Sequence, residues 1–284
     1  MAADSAEARI RRLREKPWGE FDFRRKIPED EIFAVPGMLW TWEKRMLYYL
    51  AREEFTGRGA IADMGSFLGG STICLAAGLS DRGFEGRVIH SYDLFKLGEA
   101  ERQRYFPERS PGELGVRDVF DANLGKYLSL VEVHEGDVLS FPWENGPIEI
   151  LFVDVAKSFK VMDHIVTGYF PALMPSKSVI VMQDYLSPQT GPWHHIVLEK
   201  LSDYVEYVVD GDTASTIFLL REPIPQEVLE ACRWEEIPPD EKLALMDRAI
   251  EKLDTEEKKD FLRSNREILV SGRDRTWGMH YHAL

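Results

Sequence analysis

Asp63-Met-Gly65-Ser66-Phe-Leu-Gly69-Gly70-Ser71-Thr72 is the segment of this chain best suited to chemistry. The apolar run Ala60-Ile-Ala leads into it, and a helical pattern, Ile73-Cys-Leu-Ala-Ala77, leads out. Glycine lets a backbone turn sharply and lets a ligand approach where a Cβ would stand in the way. A helix starting at Ser71 or Thr72 leaves free N–H groups and a partial positive end facing the same spot. The segment reads as a cradle for a nucleotide-type cofactor. Asp93 closes the next apolar run, Val88-Ile-His-Ser-Tyr-Asp93, where a ribose would be held. Later runs close in the same way, at Gly136-Asp137, at Asp154 and at Gln183-Asp184. Ligands of open parallel sheets gather beyond the carboxyl ends of the strands, so these five acidic groups read as one site. His194 and His195 follow in Gly191-Pro-Trp193-His-His. An imidazole suits a general base, but two neighbours on a helix cannot face one point, so at most one would act.

Such residues need a scaffold of alternating strands and helices, and the hydrophobic pattern supplies one. Ile61–Met64, Arg87–Tyr92, Val131–Glu135, Glu149–Val153 and Ser178–Met182 read as strands. Helices are expected over Ser71–Leu79, around Val116–Lys126, over Ser158–Leu173 and over Pro192–Leu201. Tyr204–Val209 and Thr216–Arg221, separated by a Gly211-Asp212 turn, read as a closing pair of strands. This alternation predicts an α/β fold: a doubly wound, mostly parallel seven-stranded sheet, Rossmann-like, covered by helices on both faces. The closing pair sets it apart from the plain dinucleotide fold.

Extensions flank this core. Residues 5–16 read as a short basic helix, either a solvated face or a contact for an acidic partner. Residues 17–37, with Pro17, Pro28 and Pro36, read as an irregular wrap, and Thr41–Glu54 as a helix with Met46, Leu47, Leu50 and Ala51 on one face. Lys96–Leu114 reads as a polar insertion. Leu243, Met246, Ile250, Leu253 and Phe261 predict an amphipathic helix or helix pair over 240–264. It would pack on the core, or serve as a dimer contact or lid. The aromatic tail from Trp277 is expected to fold back. The expected organisation is an N-terminal extension over 1–40, a cofactor-binding domain over 41–221 and a helical extension over 222–284.

Composition narrows the class. The 284 residues are 44% hydrophobic, which suits a packed core. Formal charge is 35 − 49 = −14, which argues against nucleic acid as a partner. No run approaches the ~18 apolar residues of a membrane span, and the first residues lack an apolar signal core. A cytoplasmic protein without a membrane partner is expected. Cys74 and Cys232 suggest no disulfide framework, and Cys74 reads as a small buried hydrophobe.

With these motifs in view, the chain resembles the class I S-adenosylmethionine-dependent methyltransferases, and more narrowly the macrocin-type sugar O-methyltransferases. Asp63-Met-Gly-Ser-Phe-Leu-Gly-Gly-Ser-Thr, Tyr92-Asp93, Glu135-Gly-Asp137, Phe152-Val-Asp154 and Val181-Met-Gln-Asp184-Tyr185 carry the resemblance, which covers residues 36–221. It implies that Gly65, Ser66, Gly69, Gly70 and Ser71 surround the methionine end of S-adenosylmethionine and that Asp63 anchors its amino group. Asp93 would accept hydrogen bonds from both ribose hydroxyls, and Asp137 with the Val138 amide would meet the adenine edge. The partner would be a hydroxylated, sugar-like small molecule.

Methyl transfer needs the acceptor oxygen in line with the sulfur–methyl bond, at about 3 Å. A hydroxyl is a poor nucleophile until its proton is removed, so Asp154 is a candidate base or metal ligand. Asp184 would complete a carboxylate pair. In the resembling family such carboxylates hold Mg²⁺, which lowers the hydroxyl pKa. Here the Gln183 amide oxygen could still ligate but adds no charge, so metal affinity should fall or the metal be absent. The plainer alternatives are a helix cap for Asp154 and a turn former for Asp184. Trp193, Tyr185 and Trp143 would wall a sugar ring or pack the core. The chain departs from the family at two places. Asp154-Val-Ala-Lys157 stands where Asp-Gly-(Ala or Asp)-His is usual, and Gln183 replaces the first of two adjacent carboxylates. Lys157 would put a cation where the metal sits, or bind an anionic substrate. The helical ends suit a homodimer.

Two rival readings share some of these features. A nicotinamide-dependent dehydrogenase has a glycine loop, but Gly65-x-x-x-Gly69-Gly70 is not Gly-x-Gly-x-x-Gly. Asp93 also lies farther on than the ~20 residues expected. A methyltransferase fold kept as a binding or assembly module would account for Lys157 and Gln183. Retention of both Asp154 and Asp184 speaks against it.

Overall fold

The computed structural model describes residues 5–19, 28–187, 191–210 and 214–273. The chain begins with α1 (Ala6–Arg14), α2 (Glu29–Ile32) and α3 (Thr41–Tyr49). The strands and helices then alternate: β1 (Ala60–Met64), α4 (Gly70–Asp81), β2 (Ile89–Asp93), α5 (Glu99–Tyr105), α6 (Arg117–Leu124) and β3 (Val131–Glu135). β4 (Ile148–Val153), α7 (Phe159–Gly168), β5 (Val179–Met182), α8 (Trp193–Lys200), β6 (Val205–Asp210) and β7 (Thr216–Leu220) follow. α9 (Gln226–Glu230), α10 (Pro239–Glu251) and α11 (Glu256–Val270) end the described chain. The strands form one seven-stranded sheet in the order β3-β2-β1-β4-β5-β7-β6. The expected doubly wound, mostly parallel sheet is present, with strand limits moved by a residue or two.

The chain divides into two compact units, one from the described residues of Lys16–Phe141, the other from those of Met1–Glu15 and Pro142–Leu284. In the first, β1 and β2 run parallel with Asp63 opposite Ser91, and β2 and β3 run parallel with Asp93 opposite Glu135. Every residue of β1 is buried, which is why its sequence is continuously apolar up to Asp63 instead of alternating. α3 lies hard against α4. A Cβ on Gly78 would stand 2.5 Å from the Tyr48 carbonyl oxygen and 3.0 Å from the Ala51 Cβ, so only glycine allows the approach. Lys44, on α3, is buried, and its ammonium donates to the carbonyls of Ile32 (3.3 Å) and Val35 (2.8 Å). That pins part of the proline-rich wrap, in which α2 forms, to the core.

The polar insertion holds a helix that its composition did not announce. α5 is organised by a charge instead of an apolar stripe: buried Arg102 pairs with Glu99 at 2.7 Å and donates to the carbonyls of Arg109 and Phe106.

In the second unit, β4 and β5 pair in parallel, and β5–β7 and β7–β6 pair antiparallel. The basic helix α1 is not simply a solvated face. Ser5 caps it, Ile10 and Leu13 are buried, Arg9 donates to the Lys177 carbonyl and Arg14 Nε to the Val208 carbonyl at 3.1 Å. The C-terminal amphipathic stretch is a helix pair broken before Thr255, whose side chain caps α11. α10 packs on α8 and on α11. Cys74 and Cys232 are both buried and free. The Gly211-Asp212 turn and the tail from Trp277 lie outside the described residues. Among the described residues, no helix is long and apolar enough to cross a membrane.

Candidate functional site

The glycine segment folds as a turn whose conformation only glycine adopts freely. Gly65 has φ 97° and Gly69 φ 95°, and Gly69 caps α4 in the left-handed region. α4 therefore starts at Gly70, one residue earlier than expected. A Cβ on Gly70 would meet no atom within 4 Å, so open space lies in front of the helix start. Phe67 also has a left-handed φ, 49°. This strained conformation aims its N–H at the Asp93 carboxylate, 2.8 Å away.

Beneath the turn lies a buried polar cluster. Asp63 is fully buried, and one carboxylate oxygen accepts from Thr72 Oγ1 at 2.5 Å. Ser66 and Ser91 hydroxyls bond to each other, and Ser91 lies 3.4 Å from Thr72 Oγ1. The other Asp63 oxygen and the Ser71 hydroxyl are buried with no hydrogen-bond partner. An unpartnered buried carboxylate oxygen is costly and calls for a donor or a cation. Burial pushes the Asp63 carboxyl up to about 6, against the opposing pull of the Thr72 hydroxyl. Asp93 is held differently. One oxygen accepts from the Phe67 N–H, the other from the Phe95 N–H at 2.7 Å. Its pKa is raised by burial, which these two bonds oppose. A carboxylate has about four acceptor positions, so both oxygens keep capacity for an outside donor. Asp137 is exposed and caps the short turn after β3, accepting from the Leu139 N–H at 3.0 Å, while Val138 is buried.

The second unit carries its own cluster past the ends of β4 and β5. Lys157 Nζ donates to Asp154 Oδ1 at 2.8 Å and to Asp184 Oδ2. Burial works against the ammonium charge, but the carboxylates of Asp154 and Asp184 outweigh it and hold the lysine above its ordinary range. Ser158, not Asp154, caps α7, accepting from the Val161 N–H at 3.4 Å. Asp184 does form a turn: its φ is 62° and its carbonyl accepts from the Ser187 N–H.

Two expectations need correction here. The Mg²⁺ set of Asp154, Asp184 and Gln183 does not stand ready for a metal, because an ammonium already bridges the carboxylates and the Gln183 amide oxygen accepts from Ser215. Among the described residues, no group of three or more His, Cys, Asp or Glu could hold a metal. His194 and His195, the candidate bases, are core residues at 1% and 0% exposure. His195 Nε2 faces the Tyr185 carbonyl at 2.7 Å and must carry the proton there. Burial pushes its pKa down to about 4 and that of His194 well below the usual imidazole range. Trp193 and Tyr185 are likewise core, and Trp193 Nε1 donates to the Ala156 carbonyl at 2.6 Å.

No protein-family model matches the sequence, and no curated protein matches it. Solved structures do match in fold. The O-methyltransferase NovP superposes with a TM-score of 0.50 at 15% identity, over 66% of this chain and 82% of its own. The fold is that of the class I methyltransferases. CalS11, a TDP-rhamnose 3′-O-methyltransferase of calicheamicin biosynthesis, superposes with a TM-score of 0.47 at 16% identity, over 78% of this chain and 96% of its own. The methyltransferase fold explains why polar groups gather past strand ends, yet the sequence reading missed several of them. Ser91 escaped notice because a lone serine in a strand carries no signal until the β1–β2 register sets it opposite Asp63. Thr72 was legible only as the residue after Ser71. The Phe67 and Phe95 amides leave no trace in side-chain type.

Proposed function

We propose that this protein is an S-adenosylmethionine-dependent O-methyltransferase that acts on a hydroxylated small molecule, sugar-like in character. The observation that carries this reading is the buried, half-satisfied Asp63 beneath the start of α4. Its unpartnered oxygen fits the ammonium of a methionine moiety, and the Ser71 hydroxyl and the open space before Gly70 fit the carboxylate beside it. Asp93 would take the ribose hydroxyls. Leu94 and Leu139, unusually exposed for leucine at 49% and 39%, follow Asp93 and the Asp137-Val138 pair and would lie against the adenine. When bound, the sulfonium supplies an activated methyl group. The chain's part is to hold the acceptor hydroxyl and to take its proton, for which Asp154 is the group in this reading. The fold shared with the O-methyltransferase NovP supports oxygen as the acceptor atom. Magnesium does not fit the residues present, and no step is assigned to it.

Ligand-induced stabilisation tests the assignment, since a ligand of the native state raises the unfolding midpoint. S-adenosylmethionine and S-adenosylhomocysteine should both raise it and NAD should not; the opposite pattern would overturn the proposal.

Asp63 adds a pH signature. The folded protein holds this carboxyl above its unfolded value, so alone it stabilises the fold at low pH and that stability is lost as pH rises through about 6. A cationic amino group prefers the deprotonated carboxylate, so ligand affinity runs the other way. S-adenosylhomocysteine should bind about tenfold more weakly at pH 5 than at pH 7, levelling off above the Asp63 pKa. Calorimetric titrations in buffers of different ionisation enthalpy should also register proton release at the lower pH. An affinity flat across that range would remove Asp63 from the amino-group contact.

A further inference from the structure

We propose that Lys157 is the built-in cation of the acceptor site, standing where a divalent metal would otherwise be held and offering an N–H to the acceptor oxygen. The acceptor part rests on the methyltransferase reading; the exclusion of metal does not. An ammonium has three donors. Two are taken by Asp154 Oδ1 and Asp184 Oδ2, and one is left without a partner among the described residues. The side chains of Lys157, Asp154 and Asp184 keep 25%, 22% and 28% of their surface open, enough for a molecule from solvent to reach them.

The backbone is built to hold this ammonium in place. The Lys157 N–H bonds to the Val155 carbonyl at 2.6 Å, a three-residue turn that folds the side chain back towards Asp154. The carbonyl in the middle of that turn, Ala156, accepts from the buried Trp193 indole. Trp193 is fixed in turn by the bare backbone of Gly191, where a Cβ would fall 1.9 Å from the indole ring. On the other side, the left-handed Asp184 brings the second carboxylate to the same nitrogen.

The charges choose between the two roles open to Lys157. Among the described residues, two carboxylates and one ammonium give the cluster one net negative charge. A phosphate or carboxylate on the substrate would meet both carboxylates beside the ammonium, which favours a neutral acceptor over an anionic one. A neutral hydroxyl meets no such barrier. A divalent ion would have to expel the ammonium or sit against it, and the expected neutral ligand, the Gln183 amide oxygen, is already bonded to Ser215. In the transfer step the oxygen lone pair forms the new O–CH₃ bond. The S–CH₃ pair stays on sulfur, which becomes a neutral thioether. The hydroxyl proton passes to the Asp154 carboxylate. Lys157 stays protonated and steadies the oxygen as its negative charge grows.

Mn²⁺ binding, read by electron paramagnetic resonance on the whole chain, tests the idea without knowledge of the acceptor. The wild-type protein should leave millimolar Mn²⁺ free. Lys157→Ala should expose the two carboxylates and gain one Mn²⁺ site, at least about tenfold tighter than any wild-type binding. Adding Asp184→Asn should abolish that site. Lys157→Met serves if the alanine variant does not fold. Stoichiometric Mn²⁺ binding by the wild type, or no gain in the folded variants, would overturn the proposal. S-adenosylhomocysteine affinity, measured on the same samples, reads the cradle separately. Its absence in the wild type would strike the methyltransferase reading and leave the Mn²⁺ result intact.

Discussion

Asp93→Ala is expected to weaken S-adenosylhomocysteine binding by at least about 100-fold. Hydrogen bonds to a charged group contribute about 1.5–3 kcal/mol each, and a ribose would make two of them with this carboxylate. That sum corresponds to two or more decades in Kd. A second loss adds to the first. The carboxylate also fastens the Phe67 and Phe95 amides, two residues held at φ 49° and 48°. Without it, both turns lose the bond that offsets their strained conformation, and the glycine turn would no longer be preorganised. Asp93→Asn should fail too, because an amide NH₂ would face a backbone N–H. Isothermal titration is the measurement, with the unfolding midpoint as a control for folding. Wild-type affinity in the folded alanine variant would sink the cradle assignment.

Asp154→Asn is expected to leave S-adenosylhomocysteine affinity unchanged and to cut turnover by about 10²–10⁴-fold, the usual weight of a general base. Asparagine matches aspartate in size and can still accept a bond from Lys157, so the fold should be spared. It cannot take up a proton at neutral pH. The effect should fall on kcat, because the acceptor still has the Lys157 N–H to bind. Methyl transfer from isotopically labelled S-adenosylmethionine to a panel of hydroxylated acceptors provides the assay. A fully active variant would show that the proton leaves by another route.

Much of the fold was legible because its signals are local. A strand buried on both faces is apolar along most of its length, as β1, β4, β5 and β7 are apart from Asp63, Glu149 and Thr216. A left-handed turn ahead of a helix must have glycine, as at Gly65 and Gly69. The acidic groups at strand ends were readable because chain direction alone defines a carboxyl end. What stayed hidden depends on pairing between distant segments. Nothing in Asp154-Val-Ala-Lys157 says that the lysine also reaches Asp184, since that contact needs β4 and β5 to be neighbours. The histidine pair misled for a related reason. Two imidazoles near a strand end look reactive, but Trp193 draws the start of α8 into the core and takes both with it. The arginines of α1 looked solvated because their acceptors, the Lys177 and Val208 carbonyls, lie far along the chain.

β7 has a consequence for biosynthesis. Among the described strands it is the last to leave the ribosome, yet it is wedged between two made before it, β5 and β6. Until it emerges, the outer flank of Val179-Ile-Val-Met182 is a naked apolar edge and β6 has no partner. Naked edges of this kind recruit other chains. A nascent or prematurely terminated polypeptide that stops short of Thr216 would therefore depend on chaperones to stay dispersed.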